Sequence, residues 1–349
     1  MSGAVLQLYR HGTQDAFISK NPKDSLWKIM YNKCTNFSTQ TIPLLFLGNV
    51  QSEEVSSTIL RHGDMINKMY LEFTMKEFEM KGLDEVYSLI SSIKLEIGGG
   101  LIDEYDGNWI KCLHQLFTTN DKFTYLKKMM NVENNIIQIP LDFYFCKHSG
   151  LSIPLIALQK HRIRILLKTN SQKIRSVKLL VNYVYLDKVE QKRVECSKHT
   201  YLISQVQKRT IPIKNLQPNE LTFFHPVKEL IWMLRTQDDT KNVDFDTAGI
   251  TLNKFNRLSP MSKYFFRYTQ PYEHHTRIPT ENIYVYSFAL YPEDVLQPSG
   301  CYNFSHDNSG YLTINSEDDN ISDAVLQIYA PNWNILEIEN GICKLLYSN

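Results

Sequence analysis

No apolar run in this chain of 349 residues is long enough to span a bilayer, which takes about 20 consecutive apolar residues. The opening MSGAVLQLYRHGTQD turns polar too early for a secretory signal, so a cytosolic chain is expected. Charge of one sign is not in excess either. There are 38 Lys and Arg against 37 Asp and Glu, a formal net charge of +1, which gives no electrostatic footprint for gripping nucleic acid. Cysteine is sparse and scattered. Cys34, Cys112, Cys146, Cys196, Cys301 and Cys343 contain no close pair, which excludes zinc-site spacing and a disulfide scaffold, and reduced, mostly buried thiols are expected. Acceptor triplets at Asn36, Asn303 and Asn320 carry little weight without a secretory signal. Nor is there βαβ alternation, so a doubly wound fold is not expected.

Aromatic residues, by contrast, are plentiful. Twenty Tyr and seventeen Phe, within a hydrophobic share of 43%, supply sizeable cores and lean towards strands. Two stretches stand out: Asn282 to Ser305 and its echo, Asn135 to Leu158. In the later one Ile283, Val285, Ser287 and Ala289 alternate with Tyr284, Tyr286, Phe288 and Leu290. In the earlier one Ile137, Ile139, Leu141, Phe143 and Phe145 share one side. Alternation of this kind signals strands, and each run then breaks, reaches Ser149-Gly150 or Ser299-Gly300, and turns apolar again. One β-domain built twice is the expectation.

Along the chain, Asp24 to Tyr31 has the spacing of a short amphipathic helix with Leu26, Ile29 and Met30 on one side. Strands are predicted at 37–47, 54–61 and 65–75, with Arg61-His-Gly-Asp64 as a hairpin-type turn. Residues 83–92 read as a short helix or lead-in to the strand Ile93, Leu95, Ile97, which ends at Gly98-Gly99-Gly100. Trp109 to Phe117 has helical spacing, with Trp109, Cys112, Leu113 and Leu116 on one face. Ile163, Ile165 and Leu167 alternate with charged residues. Ser171 to Lys178 is the linker candidate, and Val177 to Leu186 then opens the second half. Residues 190–206 read as helix-rich, packing through Val194, His199, Tyr201, Leu202 and Val206. Strands follow at 210–213, 221–224, 227–234, 248–252, 311–314, 324–329 and 334–339, with a helical piece around 261–268. The fold class is all-β: two tandem antiparallel jelly-roll sandwiches with short helices in loops, divided into an N-terminal segment 1–36, a first sandwich 37–172 and a second 173–349.

Particular words carry a resemblance. They begin with Thr13-Gln-Asp-Ala-Phe, Asn21-Pro, Thr35-Asn-Phe, Arg61-His-Gly-Asp-Met-Ile and Met69-Tyr-Leu. Ile93-Lys-Leu-Glu-Ile-Gly-Gly, Ile102-Asp, Gly107-Asn-Trp, Ile139-Pro-Leu-Asp-Phe-Tyr-Phe-Cys and Gly150-Leu-Ser-Ile-Pro-Leu follow. Later come Tyr183-Val-Tyr-Leu-Asp, His199-Thr-Tyr-Leu-Ile, Val227-Lys-Glu-Leu-Ile-Trp, Gln270-Pro-Tyr-Glu-His-His-Thr, Ile283-Tyr-Val-Tyr-Ser-Phe-Ala-Leu and Gln297-Pro-Ser-Gly-Cys-Tyr-Asn-Phe-Ser. In this order, over nearly the whole chain, they resemble the double jelly-roll major capsid proteins of the nucleocytoplasmic large DNA viruses. The resemblance implies a capsid subunit in the virion, assembled in host cytoplasm as a homotrimer of pseudo-hexameric outline, tiling an icosahedral shell outside an internal membrane. It implies as partners further copies of the chain, through capsomer–capsomer contacts, together with minor capsid proteins and that membrane. Departures from the family pattern are the short stretches 207–226 and 235–247, Lys254 where glycine is common, and the ending Gly341-Ile-Cys-Lys-Leu-Leu. They keep a low-copy capsid paralogue or assembly scaffold open as the alternative.

Chemistry is sparse. Gly98 to Gly100 lacks the Lys-Ser/Thr of a phosphate loop and reads as a turn. His274-His275 beside Glu273 reads as a turn with surface or interface histidines, whose protonation near pH 6 would loosen an interface. Lys160 to Lys178 holds seven Lys or Arg and no acid. It reads as a charged strand edge in water plus a linker, ahead of a surface for anionic lipid or nucleic acid. His161, His199 and His225 read as packing residues. No catalytic, cofactor-binding or metal-binding residue is expected, no cofactor, no specific nucleic-acid binding and no enzyme activity. A carbohydrate-binding module or enzyme on a jelly roll is the alternative of another class.

Overall fold

The computed structural model describes residues 2–49, 54–76, 82–130, 135–170, 173–213, 215–236, 242–306, 310–316 and 324–347, in two units, Met1–Asn36 and Phe37–Asn349. The first unit holds two short helices, Gly3–Tyr9 and Ala16–Ser19. Asp24 to Tyr31 is not the expected helix. The Ser25 hydroxyl accepts from the Trp27 amide, a local bond that competes with helical pairing, and Leu26, Ile29 and Met30 are exposed with no face to bury.

Among the described residues of the second unit, sixteen of twenty strands fall into two sets of eight; the other four are Ile153–Pro154, Pro226–Val227, Tyr302–Asn303 and Ile342–Leu345. The first set is β1 Phe37–Leu45, β2 Val55–Thr58, β3 Met65–Met75, β4 Ile90–Ile97, β5 Gly100–Tyr105, β6 Ile136–Pro140, β7 Ile163–Thr169 and β8 Ile174–Leu186. The second is β9 His199–Pro212, β10 Pro218–Glu220, β11 Glu229–Thr236, β12 Thr247–Leu252, β13 Phe255–Ser262, β14 Tyr284–Ser287, β15 Tyr311–Asn315 and β16 Ala324–Glu339. The first sandwich stacks sheet β1-β8-β3-β6 on β2-β7-β4-β5. The second stacks β9-β16-β11-β14 on β10-β15-β12-β13, the same order advanced by eight, with every named pairing antiparallel. Duplication is therefore a fact of topology.

Period-two burial builds each core. Along β3, Met69, Leu71 and Phe73 are buried while Tyr70, Glu72 and Thr74 face out half-exposed. Gly98 (φ 62) and Gly99 (φ 85) make the β4–β5 turn in the left-handed region, and a Cβ on Gly98 would land on the His161 ring. Asn253 (φ 47) and Lys254 (φ 66) make the matching β12–β13 turn.

Several expectations are corrected. Arg61 to Asp64 does not close a hairpin, because β2 and β3 lie in different sheets. It is a crossing held by the Asp64 carboxylate, which accepts from the Leu186 amide at 2.7 Å and Gln191 Nε2 at 3.0 Å. Lys173 to Lys178 is no linker, and Val177 to Leu186 does not open the second half. The strand β8 sits between β1 and β3, with Val177, Leu179, Val181 and Tyr183 buried in the first core. A boundary at 172/173 would cut that sheet; the chain leaves it only after Leu186. Residues 171–172 lie outside the described residues.

Residues 190–206 divide between a helix, Lys188–Cys196, capped by Asp187, and the start of β9. The two closing strands are one of sixteen residues, β16. Leu221 to Phe224 is not a strand. The echo stretch leaves strand geometry after Pro140, and Phe143 and Phe145 reach the core from a helical turn, Tyr144–Lys147, and its N-cap. The charged strand β7 is internal, flanked by β2 and β4; Arg164, Lys173 and Lys178 pair with Glu96, Glu85 and Glu72. Their counterions come from neighbouring strands and a helix start.

Candidate functional site

The functional element of this molecule is the seam between its two sandwiches, and β11 shows how it arises. Leu230, Trp232 and Leu234 point into the second core, whereas Ile231 and Met233 on the opposite face belong to the first sandwich's apolar cluster. β14 with the residue before it divides likewise, Tyr284 and Tyr286 against Ile283 and Val285. A strand apolar on both faces is a strand covered on both faces.

The cover is a helix, α1 Gly107–Leu116, in which every residue but Asn108 is buried. It follows β5 directly. Asp106 caps it, accepting from the Trp109 amide at 2.9 Å. Gly107 is forced by close approach, since a Cβ there would sit 1.8 Å from the Tyr87 carbonyl oxygen. Trp109 meets the Tyr329 ring at 5.4 Å, and Cys112 Sγ lies 3.9 Å from Met233 Sδ.

The second sandwich grips both ends of this helix. At the N-terminus, the Asp106 carboxylate accepts from Lys208 Nζ at 2.5 Å and from the Tyr329 hydroxyl at 2.9 Å, and Asn108 Nδ2 donates to Gln327 at 3.1 Å. At the C-terminus, the buried Arg277 guanidinium donates to the carbonyls of Gln115 (2.8 Å) and His114 (2.9 Å), and its amide donates to that of Leu116 (3.0 Å). These satisfy the last carbonyls of the helix with a cation at the negative end of its dipole. Gln115 Oε1 accepts from Thr280 as well, and Lys111 Nζ is shared by Asp84 at 2.6 Å and Glu281.

Burial, then the Arg277 charge, pushes His114 down to about 3, so its neutral Nδ1 accepts the Tyr87 hydroxyl proton at 2.8 Å. Nearby, Asp103 on β5 accepts from the Val206 amide on β9 at 3.1 Å, and burial lifts its carboxyl to about 7. Two clefts of about 690 and 680 Å³, the second mainly polar, flank the Asp106–Lys208 pair.

His275 is not a surface residue. Its buried ring meets Phe117 at 5.2 Å, lies in ion-pair contact with Glu229 (2.9 Å) and hydrogen-bonds Glu293 through Nδ1 (3.0 Å). Burial alone would depress it, but the two carboxylates overcome this and hold it charged to about 9. The interface loosening expected near pH 6 therefore has no source in His275. His274 bonds the Leu290 carbonyl at 3.0 Å instead, and the two rings are not brought to one site. Beside Glu229, burial brings Lys228 down to about 7; its Nζ donates to the Pro292 carbonyl at 3.0 Å and sits over the Trp333 ring.

His161 accepts from the Cys343 amide, His199 bonds the Val194 carbonyl, and His225 stacks on Tyr347. All six cysteines are free, but Cys34, Cys196 and Cys301 are exposed rather than buried. Among the described residues no group of three His, Cys, Asp or Glu could hold a metal ion. Asn320 lies outside them. Sequence reasoning missed Asp106, Lys208 and Arg277. Asp106 had a signal, an acidic cap just before an apolar helix, whereas Arg277 and Lys208 had none, being defined only by what they meet.

Comparisons with known proteins agree with this architecture. Residues 25–187 match the family model described as major capsid protein N-terminus, and residues 190–343 match large eukaryotic DNA virus major capsid protein. The major capsid protein of Pyramimonas orientalis virus is 32% identical over the whole of both chains, and that of Paramecium bursaria Chlorella virus 1 is 28% identical, again over all of both. Among solved structures, the PBCV-1 virus capsid subunit superposes with a TM-score of 0.82 at 26% identity, covering 93% of this chain and 100% of that one. The Faustovirus major capsid protein shares the fold at 11% identity, with a TM-score of 0.73 over 94% of each chain. The two family models meet between residues 187 and 190, where the chain passes from one sandwich to the next. This double jelly-roll chain belongs to the family of large eukaryotic DNA virus major capsid proteins.

Proposed function

We propose that this structural capsid subunit works as a homotrimer of pseudo-hexameric outline whose copies tile an icosahedral shell. The observation that supports it most is the repeated topology. One chain supplies two like sandwiches already fixed side by side by a buried seam, so three chains supply six. Closed cyclic contacts give a discrete block, and block-to-block contacts extend it into a wall. The boundary between sandwiches in this reading follows Leu186, and the first comprises 37–187. The chain performs no catalysis and grips no nucleic acid; its near-neutral charge suits a wall. Assembly takes place in host cytoplasm, and the loop tips and N-terminal segment reach minor capsid proteins and an internal membrane.

The test is native mass by light scattering with negative-stain images of the same fraction. A trimer with a six-sided outline supports the reading; a folded monomer at every concentration sinks it. Cross-linking within intact particles tests the finer partners, which fall if no smaller capsid protein is captured. A low-copy paralogue remains the second reading, favoured by the few residues joining β9 to β10 and β11 to β12. Counting copies per particle by quantitative mass spectrometry decides it.

A further inference from the structure

We infer that the cleft between the Arg61–Asp64 crossing and the loop leading into β7 binds a phosphorylated small molecule, either a lipid headgroup or a soluble phosphate.

The site grows out of the basic run Lys160 to Lys178, whose members part company in the fold. Arg164, Lys173 and Lys178 lie against Glu96, Glu85 and Glu72 at 2.8, 2.8 and 3.7 Å, so their charges are met by neighbouring elements. Lys160 and Arg162, with His161 between them, instead line a cleft of about 540 Å³ that Arg61 lines as well. Leu155 and Leu158 supply apolar lining, and among the described residues no carboxylate contributes to it. That volume is within the range of small-molecule sites. Three like charges around one cavity repel one another, and a bound anion removes that cost.

The walls are fixed by hydrogen bonds before any ligand arrives. The Ile59 amide donates to the Ile163 carbonyl at 3.0 Å, and the Gly98 amide to that of Arg162 at 2.9 Å. The turn after β16 reaches in from the second sandwich. There the Lys160 amide donates to the Gly341 carbonyl at 3.0 Å, and the Cys343 amide to His161 Nδ1 at 3.1 Å. An Nδ1 that accepts leaves the ring proton on Nε2 as a further donor. Arg61 donates through Nη2 to the Leu158 carbonyl, which uses one of the five N–H donors of its guanidinium and holds the group in place. A fork fixed in this way loses less freedom when it binds.

Arginine offers phosphate a planar pair of donors, and lysine offers a point charge. Lys160 and Arg162 are exposed, so an anion reaches them without any opening of the fold. Nucleic acid fits this cleft less well, because no Phe, Tyr or Trp stands among its described lining residues for a base to stack on. The adjoining cleft of about 450 Å³, which shares Lys160, has the wrong sign. It contains Glu195 and Glu339, engaged by Gln159 at 2.9 Å and Lys198 at 3.6 Å.

The test uses the full chain. Sodium triphosphate is the soluble probe, read by calorimetry; phosphatidylcholine vesicles with or without phosphatidylinositol bisphosphate are the lipid probe, read by flotation. The wild type should bind at least one of them, less tightly as salt rises. Lys160→Gln combined with Arg162→Gln should weaken that binding about tenfold or more, since charge-assisted contacts are lost. Lys173→Gln combined with Arg175→Gln removes the same charge from the same run outside the cleft, and should leave binding within about twofold of wild type. All four positions are exposed, so both double variants should melt close to the wild type and loss of binding is not loss of fold. Vesicle binding without triphosphate binding assigns the phosphate to a headgroup, and triphosphate binding assigns it to a soluble anion. Failure to bind either probe, or an equal loss in the two double variants, overturns the inference. The trimer reading is decided separately, by native mass.

Discussion

The helix α1 and the helical stretch Phe265–His274 hold the same place in two sandwiches of the same topology, yet their surfaces differ. Nine of the ten residues of α1 are buried, its ends gripped by Asp106–Lys208 and by Arg277. The later stretch buries Phe266, Gln270 and Pro271 and shows tyrosine on its other side. Position in the fold is therefore not what decides burial; whether a sheet lies opposite is. The polar groups follow the same rule, since buried donors and acceptors must be paired and exposed ones need not be. α1 is consequently tied by a dense network, and the later stretch by a smaller set: Gln270 to the Ser287 amide at 3.0 Å, His274 to the Leu290 carbonyl at 3.0 Å and Arg267 to the Thr280 carbonyl at 3.2 Å.

Substitutions that touch one helix and not the other sharpen this contrast. The largest effect is expected at Gly107→Val, where a side chain would collide with the Tyr87 carbonyl. A loss of about 4 kcal/mol or more, read as failure to accumulate soluble protein, is of the size reserved for such clashes. Arg277→Ala should cost about 3 kcal/mol in a urea melt, because it strands the last carbonyls of α1 in a dry seam. Tyr268→Glu, on the exposed side of the later stretch, should cost the folded monomer less than about 0.5 kcal/mol, the reverse pattern.

A pH series probes the seam separately. Burial raises the Asp103 carboxyl from 3.8 to about 7, so the folded state holds its proton more tightly than the unfolded one. The resulting cost is absent below about pH 4, grows between pH 4 and 7, and is constant above. Asp103→Asn keeps an acceptor for Val206 and should raise the melting temperature at pH 8 but not at pH 4. Equal shifts at both would show that Asp103 is not the source. His275 carries the opposite sign, lending stability that is full below pH 6.5 and lost as pH rises through about 9. The smallest effect is expected at the β12–β13 turn. Lys254→Gly removes left-handed strain from a lysine at φ 66 and should gain about 0.5–1 kcal/mol, whereas adding a Cβ to Gly98 in the matching turn should lose stability.

Much of the architecture was legible because period-two alternation survives wherever a strand has one wet face, as in β3, β4 and β7. The duplication was legible from the two Ser-Gly stretches. Reading failed where the fold overrides local pattern. The basic start of β8 looks like a linker because its charges are set against Glu72 and Glu85, residues remote in sequence. The start of β9 reads as one helix with Lys188–Cys196 because burial along His199 to Val206 does not alternate cleanly. His275 looked superficial because nothing near it in the chain announces Glu229. The seam was the least legible part of all: apolar residues on both faces of β11 and β14 say that both are covered, but not by what.

The placement of β8 and β16 carries a consequence for synthesis. Each comes late in its sandwich, β16 followed only by the short strand Ile342–Leu345 that folds back on it, yet each sits inside its sheet: β1 joins β3 only through β8, pairing Phe37 with Leu186, and β9 reaches β11 only through β16. As a nascent chain leaves the ribosome, β1 and β3 wait with bare edges until residue 186 has emerged. β9 and β11 wait again until residue 339. Long-range closure of this kind is slow, and an open edge held beside many identical chains invites the wrong partner. A capsid subunit with its keystones translated late is one whose yield should depend on how fast, and in whose company, it is translated.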